Sequence, residues 1–329
     1  MNRTIRLIAP ITGFALALAV APSPASAQAW PSKPIHIVSP FSTGSTVDLH
    51  ARLMAGPLSE ILGQPVVVEN KAGAGGAIGL DAVAKSAPDG YTIGIGTTGP
   101  MAINPFLIGS TVPYDPVKSF APIGQYGIGP NVIVINAEVP AKTLAELIAL
   151  AKAKPGTISY ASSSGIGSTA HLAGELLGSV ANIDIVHIPY KGNAEGATAL
   201  LANQVQMAIS GLPPIQAHIQ SGRLRALAVT GPSRMAQLPD VPTVRELGMP
   251  EIDVTAWYGF IAPAGTPPEV VQKFADALAK TVARAEVKGR FLASGTEPYV
   301  TSPAQFAELI AADGKRWAAV IRKANVRAQ

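Results

Sequence analysis

The sequence predicts an α/β protein of two lobes, each a mostly parallel sheet flanked by helices, with the chain crossing twice between them. Three observations carry this expectation. Strand-like and helix-like runs alternate along most of the chain, the pattern of βαβ units. The alternation begins near Ile35 and restarts near Val132. The chain has 329 residues, more than one hydrophobic core usually organises.

Taken in order, residues 1–27 read as a secretory signal. Arg3 and Arg6 form its charged start, Leu7 to Val20 its apolar stretch, and Ala25-Ser26-Ala27 an A-x-A site before Gln28. The expectation is an exported, periplasmic protein whose mature chain begins near Gln28. No later segment supplies the roughly 18 uncharged apolar residues of a membrane span. The first lobe opens with a strand at Ile35–Val38, a helix from Val47 to Leu62, a strand at Val66–Val68, a helix from Ile78 to Lys85 and a strand at Thr92–Ile95. Strands of the second lobe fall at Val132–Ile135, Ile158–Tyr160, Ile185–Ile188, Met207–Ile209 and Ala226–Val229.

Helix starts are marked at Thr143-x-x-Glu146, Thr266-Pro267-x-Glu269 and Ser302-Pro303-x-Gln305, each with the spacing of a capping box. The Thr266 helix presents Val270, Phe274, Leu278 and Val282 at helical spacing, and the Ser302 helix Phe306, Ile310, Trp317 and Ile321. These stripes are core-facing. Neither helix has strands of its own beside it, so both are expected to return to the first lobe. That gives residues 28–126 with 252–329 as lobe 1 and 127–251 as lobe 2. The crossings then lie near Ile123–Gly129 and Glu251–Thr255.

Composition narrows the function. Losing Arg3 and Arg6 with the signal lowers the formal charge from +4 to +2, which offers no surface for nucleic acid or membrane. Cysteine is absent, excluding disulfides, thiol chemistry and iron–sulfur clusters. Gly73-Ala74-Gly75-Gly76-Ala77-Ile78 fails as a dinucleotide loop because Ile78 stands where glycine is required. A P-loop and a G-x-S-x-G elbow are missing, and the five histidines lack metal-binding spacing. Binding without chemistry, cofactor or metal is the expectation. A hydrolase using a serine near 162–168 with His171 is the weaker enzymatic alternative.

Two Ser/Thr/Gly-rich turns stand out. Ser42-Thr43-Gly44-Ser45-Thr46 and Ser162-Ser163-Ser164-Gly165-Ile166-Gly167-Ser168-Thr169 each follow a strand-like run and open a helix. A helix start leaves N–H groups without partners and carries about half a positive charge, so it holds an anion without lysine or arginine. One such turn from each lobe makes two halves of an anion cradle at the carboxyl ends of the strands. Phe41, Asp48, Thr97 and Thr98 join the candidates in the first lobe, and His171, Tyr190, Lys191, Gly192, Asn193 and Ser210 in the second. Asp48 has an alternative role bracing its loop, and His171 one in packing. A weak internal repeat supports the pairing: Ser45-Thr46 followed by Val66 to Gly73 resembles Ser168-Thr169 followed by Ile185 to Gly192.

In order along the chain, Pro40-Phe41-x-x-Gly44-x-x-x-Asp48, Val67-x-Glu69-Asn70-x-x-Gly73-Ala74-Gly75-Gly76, Ala87-Pro88-Asp89-Gly90-Tyr91, Gly167-Ser168-x-x-His171, His187-Ile188-Pro189-Tyr190-Lys191-Gly192 and Trp257-Tyr258-Gly259-Phe260 resemble the tripartite tricarboxylate transporter substrate-binding proteins, the Bug family. The resemblance covers essentially the whole mature chain. It implies a two-lobed periplasmic binding fold of the type II kind and a small organic carboxylate in the interlobe cleft. Contacts would come from Phe41–Thr46, from Ser162–Ser168 and from the Lys191–Asn193 region. It further implies a monomer that delivers its ligand to a membrane permease; a receptor signalling through a sensor protein stays open. Two departures are visible. Gly44-Ser45 stands where relatives often carry Gly-Gly, and Ser210-Gly211 where many carry Asp-Asn, which removes a partner for a ligand ammonium group.

Overall fold

The computed structural model describes residues 30–107, 110–162, 165–190 and 192–327; the expected signal segment lies outside them. The first sheet is built from β1 (Ile35–Ser39), β2 (Val66–Asn70), β3 (Thr92–Thr97), β4 (Phe120–Gly129), β10 (Ala256–Pro263) and β11 (Glu297–Pro298), in the order β11-β4-β10-β3-β1-β2. The second contains β5 (Val132–Asn136), β6 (Ile158–Ser162), β7 (Ile185–Pro189), β8 (Met207–Ser210) and β9 (Leu224–Val229), in the order β7-β6-β8-β5-β9. The chain leaves the first sheet after Gly129 and re-enters it at Ala256.

Among the strands of the two sheets, parallel pairing is confined to the βαβ units. Strand β1 lies parallel to β2 and β3, and β6 parallel to β7 and β8. The remaining pairs run antiparallel, so each sheet is mixed and the mostly parallel expectation is corrected in that detail. The reason is connectivity. Strand β10 arrives from the other sheet without a crossover helix of its own and inserts between β3 and β4, where direction is free.

Strand β5 shows how sequence dictates layering. Ile133 and Ile135 pack on one face of the second sheet, while Val132 and Val134 pack on the other, and all four are fully buried. A run of β-branched residues buried on both faces is the mark of a central strand covered by helices. Helix α4 (Thr169–Ala181) contributes Leu172 and Leu176 to the first of these faces, and α5 (Asn193–Leu201) brings Leu200 to the second.

In the first sheet, Ile35, Ile37, Ile93 and Ile95 pack with Met54 and Leu58 of α1 (Thr46–Leu62), and with Phe274 and Leu278 of α7 (Pro268–Ala283). On the opposite face Leu80 and Val83 of α2 (Ala77–Ala84) join Phe306, Ile310 and Trp317 of α9 (Pro303–Ala324). Both late helices therefore pack on the first sheet, as their apolar stripes require.

The three expected capping boxes have different outcomes. Ser302 forms the complete box with Gln305. Thr143 caps the Glu146 amide, but the Glu146 carboxylate accepts from Lys142 instead of Thr143. The Thr266 box is absent: its hydroxyl donates to the Pro263 carbonyl at 2.8 Å and the helix begins at Pro268. Two consecutive prolines shift the start by one position, so Glu269 cannot reach back. Among the described residues no helix is long and apolar enough to cross a membrane.

Candidate functional site

The β1–α1 turn is held from beneath by one carboxylate. Gly44 takes φ +81°, a left-handed conformation that suits glycine, and Ser45 caps α1 by accepting the Asp48 amide at 3.2 Å. Asp48 returns the favour to the turn, its Oδ2 accepting from the Gly44 amide at 2.9 Å. Its Oδ1 accepts from Arg52 Nε at 2.9 Å and Asn70 Nδ2 at 2.8 Å, and Asn70 also donates to the Phe41 carbonyl. Burial alone would raise the Asp48 pKa, but the hydrogen bonds from Gly44, Arg52 and Asn70 and the Arg52 charge outweigh it and hold the carboxyl below its usual range. Of its two candidate roles, Asp48 fills the bracing one.

The β6–α4 turn repeats this construction with a different side chain. Gly167 takes φ +80°, Ser168 accepts the His171 amide at 3.1 Å, and His171 Nδ1 accepts from the Gly167 amide at 3.4 Å. Gly44-Ser45-Thr46-x-Asp48 and Gly167-Ser168-Thr169-x-His171 are thus two copies of one helix start. In both, the residue three places past the cap turns back onto the glycine amide. The weak sequence repeat has a geometric cause.

His171 is fully buried, with its ring 4.4 Å from that of His187. Burial, and then the His187 neighbour, push its pKa down to about 3. Nδ1 accepts a hydrogen bond, so the neutral ring carries its proton on Nε2. His187 Nε2 lies 2.7 Å from Ser162 Oγ, and burial lowers its pKa to about 4. The serine at the end of β6 is therefore paired with His187, whereas the enzymatic alternative required His171.

Between the two helix starts lies a cavity of about 40 Å³. Phe41, Ser45, Thr46, Thr97 and Tyr258 line it from the elements of the first sheet, and Ser168, Thr169 and Gly211 from those of the second. Asn131, on the crossing between sheets, closes the wall. The first intrahelical bonds run from Leu49 to Ser45 and from Leu172 to Ser168. The amides of Thr46, Val47, Thr169 and Ala170 therefore lack acceptors within their helices. No lysine or arginine lines the cavity among the described residues.

Among the described residues that line the cavity, one has a buried side-chain oxygen without a partner. Thr169 Oγ1 accepts from Asn131 Nδ2 at 3.1 Å. Its counterpart Thr46 is 6% exposed, borders the cavity, and its Oγ1 has no hydrogen-bond partner. A buried hydroxyl left unpaired costs about 1–3 kcal/mol. Groups of this kind call for an explanation, and a guest in the cavity supplies one.

Phe41, Ser45, Thr46, Thr97 and Ser168 of the candidate residues meet at this cavity. Thr98 is buried behind it, its hydroxyl accepting the Trp257 amide at 2.8 Å, which ties β3 to β10. Ser210 is buried and donates to the Gly211 carbonyl. Thr43 Oγ1 donates to Asn70. Gly192 caps α5 close against Ser42, so that a Cβ there would overlap the Ser42 hydroxyl. Gly165 and Tyr190 border a neighbouring chamber with Phe41. Asn193 opens α5, and Ser163, Ser164 and Lys191 lie outside the described residues. Asn131, Gly211 and Tyr258 also line the cavity between the helix starts and were not among the candidates, and Thr169, the last residue of the second turn, was not named as a contact. Of these Thr169 had a signal, its place in the second turn and the repeat of Ser-Thr at both helix starts.

Comparison with known proteins places this geometry. Residues 50–326 match the family described as the tripartite tricarboxylate transporter family receptor. The chain is 39% identical to protein BugT of Bordetella pertussis over 99% of both chains. It superposes on the periplasmic binding protein BugD with a TM-score of 0.86 and 35% identity, covering 91% of this chain and 100% of that one. R. palustris Rpa4515, solved with adipate, gives a TM-score of 0.86 and 34% identity, covering 91% of this chain and 99% of that one.

Proposed function

We propose, for a chain that belongs to the tripartite tricarboxylate transporter receptor family, that it captures a small organic carboxylate between the starts of α1 and α4 and delivers it to the membrane subunits of a tripartite transporter. The family and its structural neighbours are periplasmic solute-binding proteins and not enzymes, so the chain is a receptor. The observation that carries the ligand class is Thr46 Oγ1, buried without a partner on the wall of a cavity flanked by uncommitted helix amides.

Two helix starts aimed at one space stabilise negative charge and disfavour cations. The hydroxyl of Thr46 adds a donor that a carboxylate oxygen accepts. The guest's oxygens are met by amides and hydroxyls, some through water, which is comparably favourable to direct contact. The adipate bound by the related R. palustris protein supports the class. In this reading the sheets and their helices form two lobes with the guest between them, the expected bounds of residues 28–126 with 252–329 and residues 127–251 moving where β4 carries the first sheet on to Gly129. The segment 1–27 directs export and is removed before Gln28.

Calorimetric titration of unfolded and refolded protein, freed of any co-purified ligand, against a panel of organic acids checks the reading. One or more acids should give saturable heat and raise the melting temperature, with about 2.7 kcal/mol of stabilisation at a hundredfold excess over Kd. A flat response across the panel overturns it. Loss of uptake of the bound acid in a strain lacking the receptor checks delivery, and the N-terminal residue of the periplasmic protein checks the cleavage.

A further inference from the structure

We infer that the guest carries one compact apolar tail, an aromatic ring or a short alkyl chain, and that this tail occupies a second chamber beyond Phe41; the inference rests on the carboxylate reading above. The anchoring cavity of about 40 Å³ has room for roughly three water-sized groups, the size of a carboxylate. The rest of any larger acid has to extend elsewhere. Phe41 forms a wall of that cavity and also of a chamber of about 200 Å³ on its other side.

The chamber differs in chemistry from the cavity. Phe41, Gly75, Gly76, Ile166, Pro189 and Tyr190 border it, and the Tyr190 hydroxyl is the one polar side-chain group among the described lining residues. No charged side chain is among the described lining residues, and the lining is mostly apolar, so a second carboxylate placed there would give up water for little more than the Tyr190 hydroxyl, which is unfavourable. An apolar group would gain burial instead. Apolar cavities of about 150 Å³ accept benzene, so the chamber is large enough for one ring.

Glycine keeps the space open. A Cβ at Gly76 would stand 3.2 Å from Phe41 Cζ and 3.1 Å from Pro100 Cγ, tighter than ordinary contact. A Cβ at Gly75 would overlap the Ile166 carbonyl oxygen on the opposite wall. Backbone thus approaches where side chains would fill the chamber or push the aromatic wall aside.

The test is a titration of refolded protein with acetate, citrate, adipate, hexanoate and benzoate under one set of conditions. Benzoate or hexanoate should bind at least 30-fold more tightly than acetate, citrate and adipate. Ile166→Phe, which fills the chamber, should lower the benzoate-to-acetate affinity ratio tenfold or more; Tyr190→Ala, which removes a wall, should lower the same ratio and serves if the first variant does not fold. If acetate, citrate or adipate binds as tightly as benzoate and hexanoate, the tail chamber is refuted while carboxylate anchoring stands. If neither variant moves the ratio, the placement of the tail is refuted. A panel in which no acid binds removes both readings together.

Discussion

Replacing Thr46 with valine keeps the β-branched shape and deletes only the hydroxyl that has no partner in the protein. In the free protein this removes an unpaired buried oxygen, so stability should hold or rise, by about 1 kcal/mol. With ligand the sign reverses. A hydrogen bond to a charged group contributes about 1.5–3 kcal/mol, and each 1.4 kcal/mol is tenfold. The affinity for the bound acid should therefore fall about 10- to 150-fold. Thr169→Val is the matched control, because that hydroxyl accepts from Asn131. It should lower the melting temperature by leaving the Asn131 amide short of a partner, at a cost of about 1–3 kcal/mol. Calorimetry for affinity and thermal melts without ligand read both quantities. If Thr46→Val lowers the melting temperature and leaves affinity untouched, its hydroxyl is structural and the anion cradle is misassigned.

Other perturbations probe the same architecture. Asp48→Asn should destabilise the protein by about 1.5–3 kcal/mol, because the buried carboxylate gives up its charge-assisted hydrogen bonds to the Gly44 amide and to Arg52, whose own side chain is half exposed. The Asp48 pKa is depressed in the fold, so its contribution is complete above the unfolded value of about 3.9 and disappears as pH falls through the folded one. The gap in melting temperature between wild type and Asp48→Asn should accordingly narrow below about pH 4, and a constant gap counts against the assignment. Burial holds His50 and His171 at about 3 and His187 at about 4. The unfolded chain binds protons first, so stability should decline as pH drops below about 6.5; calorimetric scans from pH 7.5 to 5 that show rising stability contradict the buried neutral rings. Gly75→Asn suits the φ of +61° yet places a Cβ against the Ile166 carbonyl. It should widen the gap between the two turns, visible as a larger radius of gyration in X-ray scattering and weaker binding, and an unchanged radius would remove that contact from the account.

Much of this was legible in the chain because it is local. The alternation of Ile35–Ser39, Thr46–Leu62 and Val66–Asn70 as strand, helix and strand follows from periodicity and turn residues. The stripes at Val270, Phe274 and Leu278 and at Phe306, Ile310 and Trp317 had to be buried, and both fall in the cores of the first sheet. The Ser-Thr pairs after Gly44 and Gly167 announced two helix starts because capping depends on a few consecutive residues. The Thr266 box failed for an equally local reason: Pro267 and Pro268 compete for the first helical position, and the second one took it.

What sequence order alone determined here is which segments are strands, which are helices, and that two of those helices begin with the same amide-exposing turn. Folding in three dimensions decided the rest. The direction of β10 between β3 and β4, the arrival of Asn131 and Gly211 at one wall, and the contrast between satisfied Thr169 and unpaired Thr46 each depend on residues tens of positions apart. Periodicity and capping act over a few neighbouring residues, whereas whether a hydroxyl finds a partner depends on what distant chain is packed beside it.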